Sequence, residues 1–227
     1  MKKNKKDKIR LIKIETIRFS PEIECELPKR TDSDAMIDRN RTLKGWEISM
    51  DGSLENGMEV KPKKSNKLFF NKEGLLQLKE VLALLRVYRA KVSGRCGLHI
   101  HINAKNLSDK KVLIIIQEFI HKQRFFVKRF KINKERIENT CQLLPKENLH
   151  KITVKQINHF RNNGSSWNFN DYSSLDEKYR ALNISHLAKG DYGTLEFRLY
   201  SATLNYRELK DRILFTLNFI KDCLERE

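Results

Sequence analysis

Apolar and polar residues alternate with period two in several short runs of this chain and recur at helical spacing in several longer ones. Period two puts alternate side chains on opposite faces of a strand, whereas a 3.6-residue period gathers them on one face of a helix. From Pro21 onward, Glu22, Glu24 and Glu26 share one face and Ile23, Cys25 and Leu27 the other. The β-favouring run over 11–27 is expected to break at Ser20-Pro21. Residues 46–51 alternate again and reach the turn dipeptide Asp51-Gly52; Met58-Glu59-Val60, stopped by Pro62, answers them, which predicts a hairpin with a slightly long connection. In 97–102, His99 and His101 look one way and Leu98, Ile100 and Ile102 the other. Strands are also predicted over 179–187 and 194–200, the second setting Glu196 and Arg198 opposite Leu195, Phe197 and Leu199.

Leu75, Leu78, Leu82 and Leu85 predict a helix over 73–91, closed by Ser93-Gly94. Ser108 or Asp109 can cap a second, running through 112–116 to about Phe130. Residues 131–160 read as helical in pieces, interrupted at Pro145. Leu204-Asn205 opens a last helix with Leu209, Ile213, Leu217, Ile220 and Leu224 inside. The Asn-, Ser- and Gly-rich stretch 161–174 predicts a long loop. Trp167 and Phe169 make it either a lid that closes over bound substrate or a surface loop pinned by packing on a helix. Some six strands and four or more helices without βαβ alternation predict an α+β fold, a mainly antiparallel sheet with helices on one face. Residues 1–10 read as a flexible basic tail and 11–227 as one domain.

Charge narrows the function. Lysine and arginine exceed aspartate and glutamate by 17, which implies an anionic partner such as a nucleotide, a nucleic acid or an acidic substrate. The four cysteines are scattered without a C-x-x-C pair, a pattern of reduced thiols rather than a disulfide frame or zinc finger. The basic start is followed by no apolar stretch long enough for a signal peptide or a membrane span, so a cytoplasmic protein is expected.

The polar faces of the strands carry the chemistry. Glu22, Glu24, Asp51, Glu59, His99, His101, Glu196 and Arg198 would share one side of the sheet, where a solvated face would normally carry Thr, Ser, Lys and mixed charges. Singly, each has an ordinary explanation: a wet Glu-x-Glu edge, a turn, a cross-strand ion pair. Together, clustered carboxylates repel one another unless a cation or proton sits between them, and an oxygen-rich set with imidazole suits Mg²⁺ or Mn²⁺. Two rival classes remain. Residues 122–136 interleave basic residues with Phe125, Phe126 and Phe130, as a nucleic-acid surface would, or as an amphipathic helix with a wet basic face. A zinc hydrolase built on His99 and His101 lacks a third well-placed histidine and is over-supplied with glutamate.

Five segments resemble the amidoligase family of carboxylate–amine ligases, distant relatives of glutamine synthetase and glutamate–cysteine ligase. They are residues 19–24 (FSPEIE), 46–54 (WEISMDGSL), 57–60 (GMEV), 96–101 (CGLHIH), and 179–183 with 194–198 (YRALN, TLEFR), in the family's order. Two positions depart from the pattern: Ser20-Pro21 stands where a glycine commonly precedes the first Glu, and Lys61 where a serine usually precedes the proline. The resemblance implies a curved antiparallel sheet forming half of a funnel, like the catalytic domain of glutamine synthetase. Helices would pack on its convex face, with ATP and divalent metal on the concave one. It implies amide formation through an acyl phosphate, with Glu196 and Arg198 as catalytic residues. Glu22, Glu24, Glu59, His99 and Glu196 would be metal ligands. Arg180, Arg198 and Asn183 would be ATP- or phosphate-binding residues, and His101 and Asp51 substrate-side residues. With no G-x-x-x-x-G-K-[ST] loop, ATP would be held through metals and arginines. The carboxylate and amine are not named by the sequence, a nucleic acid or anionic peptide could be the substrate, and an oligomer is possible because larger relatives are often multimeric. A degenerate ligase kept as a binding module is disfavoured by the retained Glu and Arg set.

Overall fold

Alternation in the sequence becomes one sheet in the structure. The computed structural model describes residues 12–28, 45–54, 56–64, 67–146, 152–163, 179–188 and 193–226. Among them are β1 (Arg18–Glu26), β2 (Trp46–Asp51), β3 (Gly57–Pro62), β4 (Leu68–Phe69), β5 (Gly97–Asn103), β6 (Leu182–Asn183) and β7 (Thr194–Ser201). The helices are α1 (Lys72–Val87), α2 (Asp109–Phe130), α3 (Lys134–Asn139), α4 (Val154–Asn163) and α5 (Tyr206–Leu224). The strands lie in the order β2-β3-β1-β5-β7-β6, every named pair antiparallel, with β4 added beside β1. The fold is therefore α+β with an antiparallel sheet.

Period two sorts the faces. Phe19, Ile23 and Cys25 of β1, Leu98, Ile100 and Ile102 of β5, and Leu195 and Phe197 of β7 are fully buried in one core. Helices cover that face: Phe119 of α2 meets Phe197 edge-on at 5.4 Å and Phe126 at 5.5 Å, and Phe126 in turn meets Phe215 of α5 at 4.9 Å. Side-chain caps fix where helices begin, since Asn71, Ser108, Asn133 and Asn205 each accept from a backbone N–H of the first turn.

Several expectations shift. β1 runs unbroken through Ser20-Pro21. Pro21 lies between the stretch paired with β4 (18–19) and the stretch paired with β3 (23–26). There β5 is its one partner among the described residues, so the missing N–H breaks no ladder. α1 stops at Val87 rather than Lys91, because Arg89 turns into the left-handed region at φ 59° and Lys91 bridges to Glu26 of β1. The strand expected over 179–187 shrinks to Leu182–Asn183 and passes into a 3-10 turn over Ser185–Leu187. Residues 161–163, read as the start of a loop, close α4. The rest of that loop, with Trp167 and Phe169, and the tail 1–10 lie outside the described residues.

β7 also carries a bulge. Leu98 opposes Tyr200 and Ile100 opposes Phe197, so two steps along β5 match three along β7. The extra residue returns Tyr200 to the helix side, where it packs on Phe130 at 5.0 Å and shares a 2.8 Å hydrogen bond with Thr216.

No helix among the described residues is long and apolar enough to cross a membrane. All four cysteines are free and buried. Burial pushes the thiols of Cys25 and Cys223 up to about 12. The folded state thus holds their protons more tightly than the unfolded chain, so this stability is complete below the ordinary thiol pKa and is lost as pH rises toward 12. The urea midpoint is expected to fall between pH 8.5 and 11; an unchanged midpoint across that range would show that these thiols titrate as freely folded as unfolded.

Candidate active site

The face opposite the helices is polar and yet covered. Glu22 is 7% exposed, Glu24 8%, His99 2% and Glu196 1%, unlike a solvated sheet face. Register brings the residues together: Glu22 pairs with His99, Ser20 with His101, Glu24 with Glu59, and Glu196 with both His101 and Asn183. Five adjacent strands thus supply one cluster.

His99 stands at its centre. Its Nδ1 lies 2.8 Å from Glu22 Oε1 and 3.3 Å from Glu196 Oε1, and its Nε2 lies 3.2 Å from Glu24 Oε1. His101 holds Thr194 Oγ1 through Nδ1 at 3.2 Å. It turns Nε2 toward Glu22 and Glu196, each 3.8 Å away. Asn183 donates to Glu196 Oε2 at 2.8 Å, and Arg198 donates to Glu196 Oε1 at 2.5 Å. Asp51 ends β2 where the turn begins; one oxygen accepts from Ser53 N at 2.9 Å. Arg180 donates to Gln142 Oε1 at 3.0 Å.

Three residues of the cluster were missed in the sequence. Lys61 Nζ sits 3.2 Å from both Glu22 Oε2 and Glu59 Oε2; the signal was there, since Lys61 shares the parity of Glu59. His186, in the 3-10 turn after β6, reaches Glu196 Oε2 at 3.5 Å and stacks obliquely on His101 at 5.3 Å. The third histidine that the zinc reading lacked therefore exists, though carboxylates still dominate. Arg136, 3% exposed, runs beneath the cluster. It donates to the carbonyls of Arg198 (3.0 Å), Leu199 (3.4 Å) and Arg95 (3.4 Å). The first two are the residues at the β7 bulge, where the ladder to β5 is interrupted. Gly97 packs against it, and a Cβ there would collide with Arg136 Nη2 and come within 2.8 Å of His99 Nε2. Its N–H donates to Glu24 Oε2.

Electrostatics follow from this packing. Burial alone would raise the Glu22 carboxyl, but the neighbouring imidazoles of His101 and His99 hold it well below the usual carboxylate range. Glu196 is likewise raised by burial and more than brought back down, by His186, His101, His99 and Arg198. Glu59 is pushed up, by burial first and then by the charge of Glu22. Burial works against the charge on Lys61, yet Glu22 and Glu59 raise its pKa and keep it protonated. Glu22, Glu196 and Lys61 are thus the members of the cluster held in their charged forms.

Within it, one oxygen or nitrogen each from Glu22, His101 and Glu196 lie within 4.8 Å of one another, and so do those from Glu24, Asp51 and Glu59. Each trio contains one buried atom without a hydrogen-bond partner: His101 Nε2 in the first and Asp51 Oδ2 in the second. A buried polar atom left so is costly unless something absent from the protein chain meets it.

The basic run 122–136 divides differently. Phe126 and Arg136 are buried, Phe130 packs on Tyr200 and Phe215, and Phe125 alone of its three phenylalanines is exposed. A stacking platform would need the rings outside.

Residues 26–220 match a family described as "putative amidoligase enzyme". The match takes in Glu59, His99, Glu196 and Arg198, while Glu22 and Glu24 just precede it and are tied to it by the pairing of β1 with β5. No curated protein matches the chain.

Proposed function

Because the chain belongs to the amidoligase family, we propose that it is an ATP- and metal-dependent ligase joining a carboxylate to an amine through an acyl phosphate. The observation that carries this reading is the pair of trios, each of which contains a buried atom without a hydrogen-bond partner. Hard carboxylate oxygens with one imidazole suit Mg²⁺, and Mn²⁺ somewhat better than in an all-oxygen site. Glu22, His101 and Glu196 would hold one ion, and Glu24, Asp51 and Glu59 another. This reassigns roles between the imidazoles: both ring nitrogens of His99 are engaged by Glu22, Glu24 and Glu196, so His99 orients the carboxylates. His101 and Asp51, read from the sequence as substrate-side, have the free atoms.

When bound, the ions supply neutralisation of the phosphate oxygens, without which phosphoryl transfer to a carboxylate is slow. The chain's own residues do the rest. Arg198 is locked against Glu196 with a buried, unpartnered Nε, a preorganised donor for charge that develops in transfer. Asn183 fixes the orientation of Glu196. Lys61 bridges Glu22 and Glu59. Like the funnel of glutamine synthetase, a covered polar face would keep water from an acyl phosphate.

ATP is expected to stabilise the protein against heat only when Mg²⁺ or Mn²⁺ is present, because carboxylates rather than a lysine loop line the site. An equal shift with ATP in excess chelator would contradict the reading. Phosphate release from Mg·ATP, stimulated by a carboxylate and an amine together, would then identify the pair.

A further inference from the structure

Lys61 stands between the two trios. Its Nζ lies 3.2 Å from an oxygen of Glu22, a member of the first, and 3.2 Å from an oxygen of Glu59, a member of the second. Strand geometry allows both contacts. Glu59 and Lys61 are two apart on β3 and share its polar face, and the pairing of Ile23 with Val60 brings Glu22 of β1 alongside. On the other side of β3, Glu47 of β2 is directly opposite Lys61. Glu47 is exposed, and an ion pair with it would leave the ammonium in water at little cost. The ammonium turns instead toward β1, where it gives up solvation to meet two carboxylates that would otherwise repel each other.

Carboxylate oxygens that converge on one point are the start of a divalent-ion site. Here an ammonium holds that point. A lysine ammonium is a compact point charge with three rotatable donors, so it can bridge two oxygens as an ion does. Unlike an ion, it is tethered and cannot dissociate. The charge also sets this chain apart, because Lys61 stands where a serine usually precedes the proline.

We infer that the Lys61 ammonium takes the place of a divalent ion between Glu22 and Glu59, as a permanent monovalent bridge between the two ion sites, so that removing it opens a third site. The inference rests on the two-ion ligase reading above. Replacing the lysine by serine leaves the two oxygens facing one space, with a hydroxyl beside them. In the native chain the tethered charge holds Glu22 and Glu59 together whether or not the flanking ions are bound, so this part of the cluster does not wait on metal to assemble.

Counting ions tests this. The full chain is titrated with Mn²⁺ to saturation, free Mn²⁺ being read from its electron paramagnetic resonance signal. Wild type is expected to saturate at the two ions that the two trios imply, and Lys61→Ser at one more. Adventitious surface sites are common to both and cancel in the difference. Lys61→Arg keeps the charge and should keep the wild-type count. In chelator, Lys61→Ser should melt below wild type, because Glu22 and Glu59 are left facing each other, and added Mn²⁺ should close the gap. If the serine variant does not fold, Lys61→Gln, which keeps the length and a donor, carries the same expected count. An unchanged count in the charge-removing variant would overturn the inference while leaving the two-ion reading standing. If its affinity were also unchanged, Lys61 would be an ordinary ion-pair partner; if tighter, a cation that only opposes the flanking ions. An extra ion in Lys61→Arg would overturn it too. A wild type that binds no Mn²⁺ would remove the two-ion reading, and this inference with it.

Discussion

Glu196→Gln is expected to lower ATP-dependent ligation by at least about 10²–10³-fold while the protein remains folded. The reason is geometric. Asn183 donates to one oxygen of Glu196 and Arg198 to the other, with His99, His101 and His186 all within 3.8 Å of the carboxylate. A glutamine amide can accept at one end only, so its NH₂ must face a donor and one of the two partners loses its hold. The substitution also removes the charge shared by the first trio. Arg198→Ala should act in the same direction by removing the preorganised guanidinium. Turnover and melting temperature measured together separate the readings. Near-normal turnover in either variant would refute the assignment, and a collapse of both melting temperatures would mark the Glu196–Arg198 pair as structural.

The largest loss of stability is expected at Arg136→Met, a change that preserves bulk and removes the donors. Carbonyls of Arg95, Arg198 and Leu199 would lose a buried, charged donor. At roughly 1–3 kcal/mol for each buried group left unmet, the cost is at least about 3 kcal/mol. For a chain of this size that is a fall in melting temperature of about 6–12 °C. Arg136→Lys should recover only part of it, because one ammonium cannot reach three carbonyls in a fixed fork. A melting temperature within about 2 °C of wild type would show that the carbonyls find other donors.

The legible part of this fold was the part governed by period two. β1, β5 and β7 and the hairpin of β2 and β3 were readable because their apolar face packs on helices and their polar face is not diluted by solvent-type residues. The grouping of Glu22, Glu24, Glu59, His99, His101 and Glu196 on one face followed from the same parity. Register did not follow, since alternation says which face a side chain takes but not which residue it opposes. That is why the two trios, and the exchange of roles proposed for His99 and His101, emerge only in the folded chain. β4 is two residues long and has no period to read. His186 sits in a 3-10 turn where neither period applies, and Arg136 lay hidden in a run of exposed cations, distinguishable only by where α3 places it. Pro21 misled because a proline's effect depends on whether its strand has a neighbour on that side.

The bulge in β7 has a further meaning. A strand with strict alternation keeps a single phase from end to end, so all its odd residues share one fate. β7 instead runs in two phases: up to Arg198 it is timed to the Glu–His cluster, and from Tyr200 it is timed to the aromatic cluster of α2 and α5. Deleting one residue here would leave every strand and helix nameable, yet put Tyr200 out of step with Phe126 and Phe130 or Arg198 out of step with Glu196. Length at this point is therefore constrained as well as composition: beyond the identities of Arg198 and Tyr200, a single-residue gap would put one phase or the other out of step.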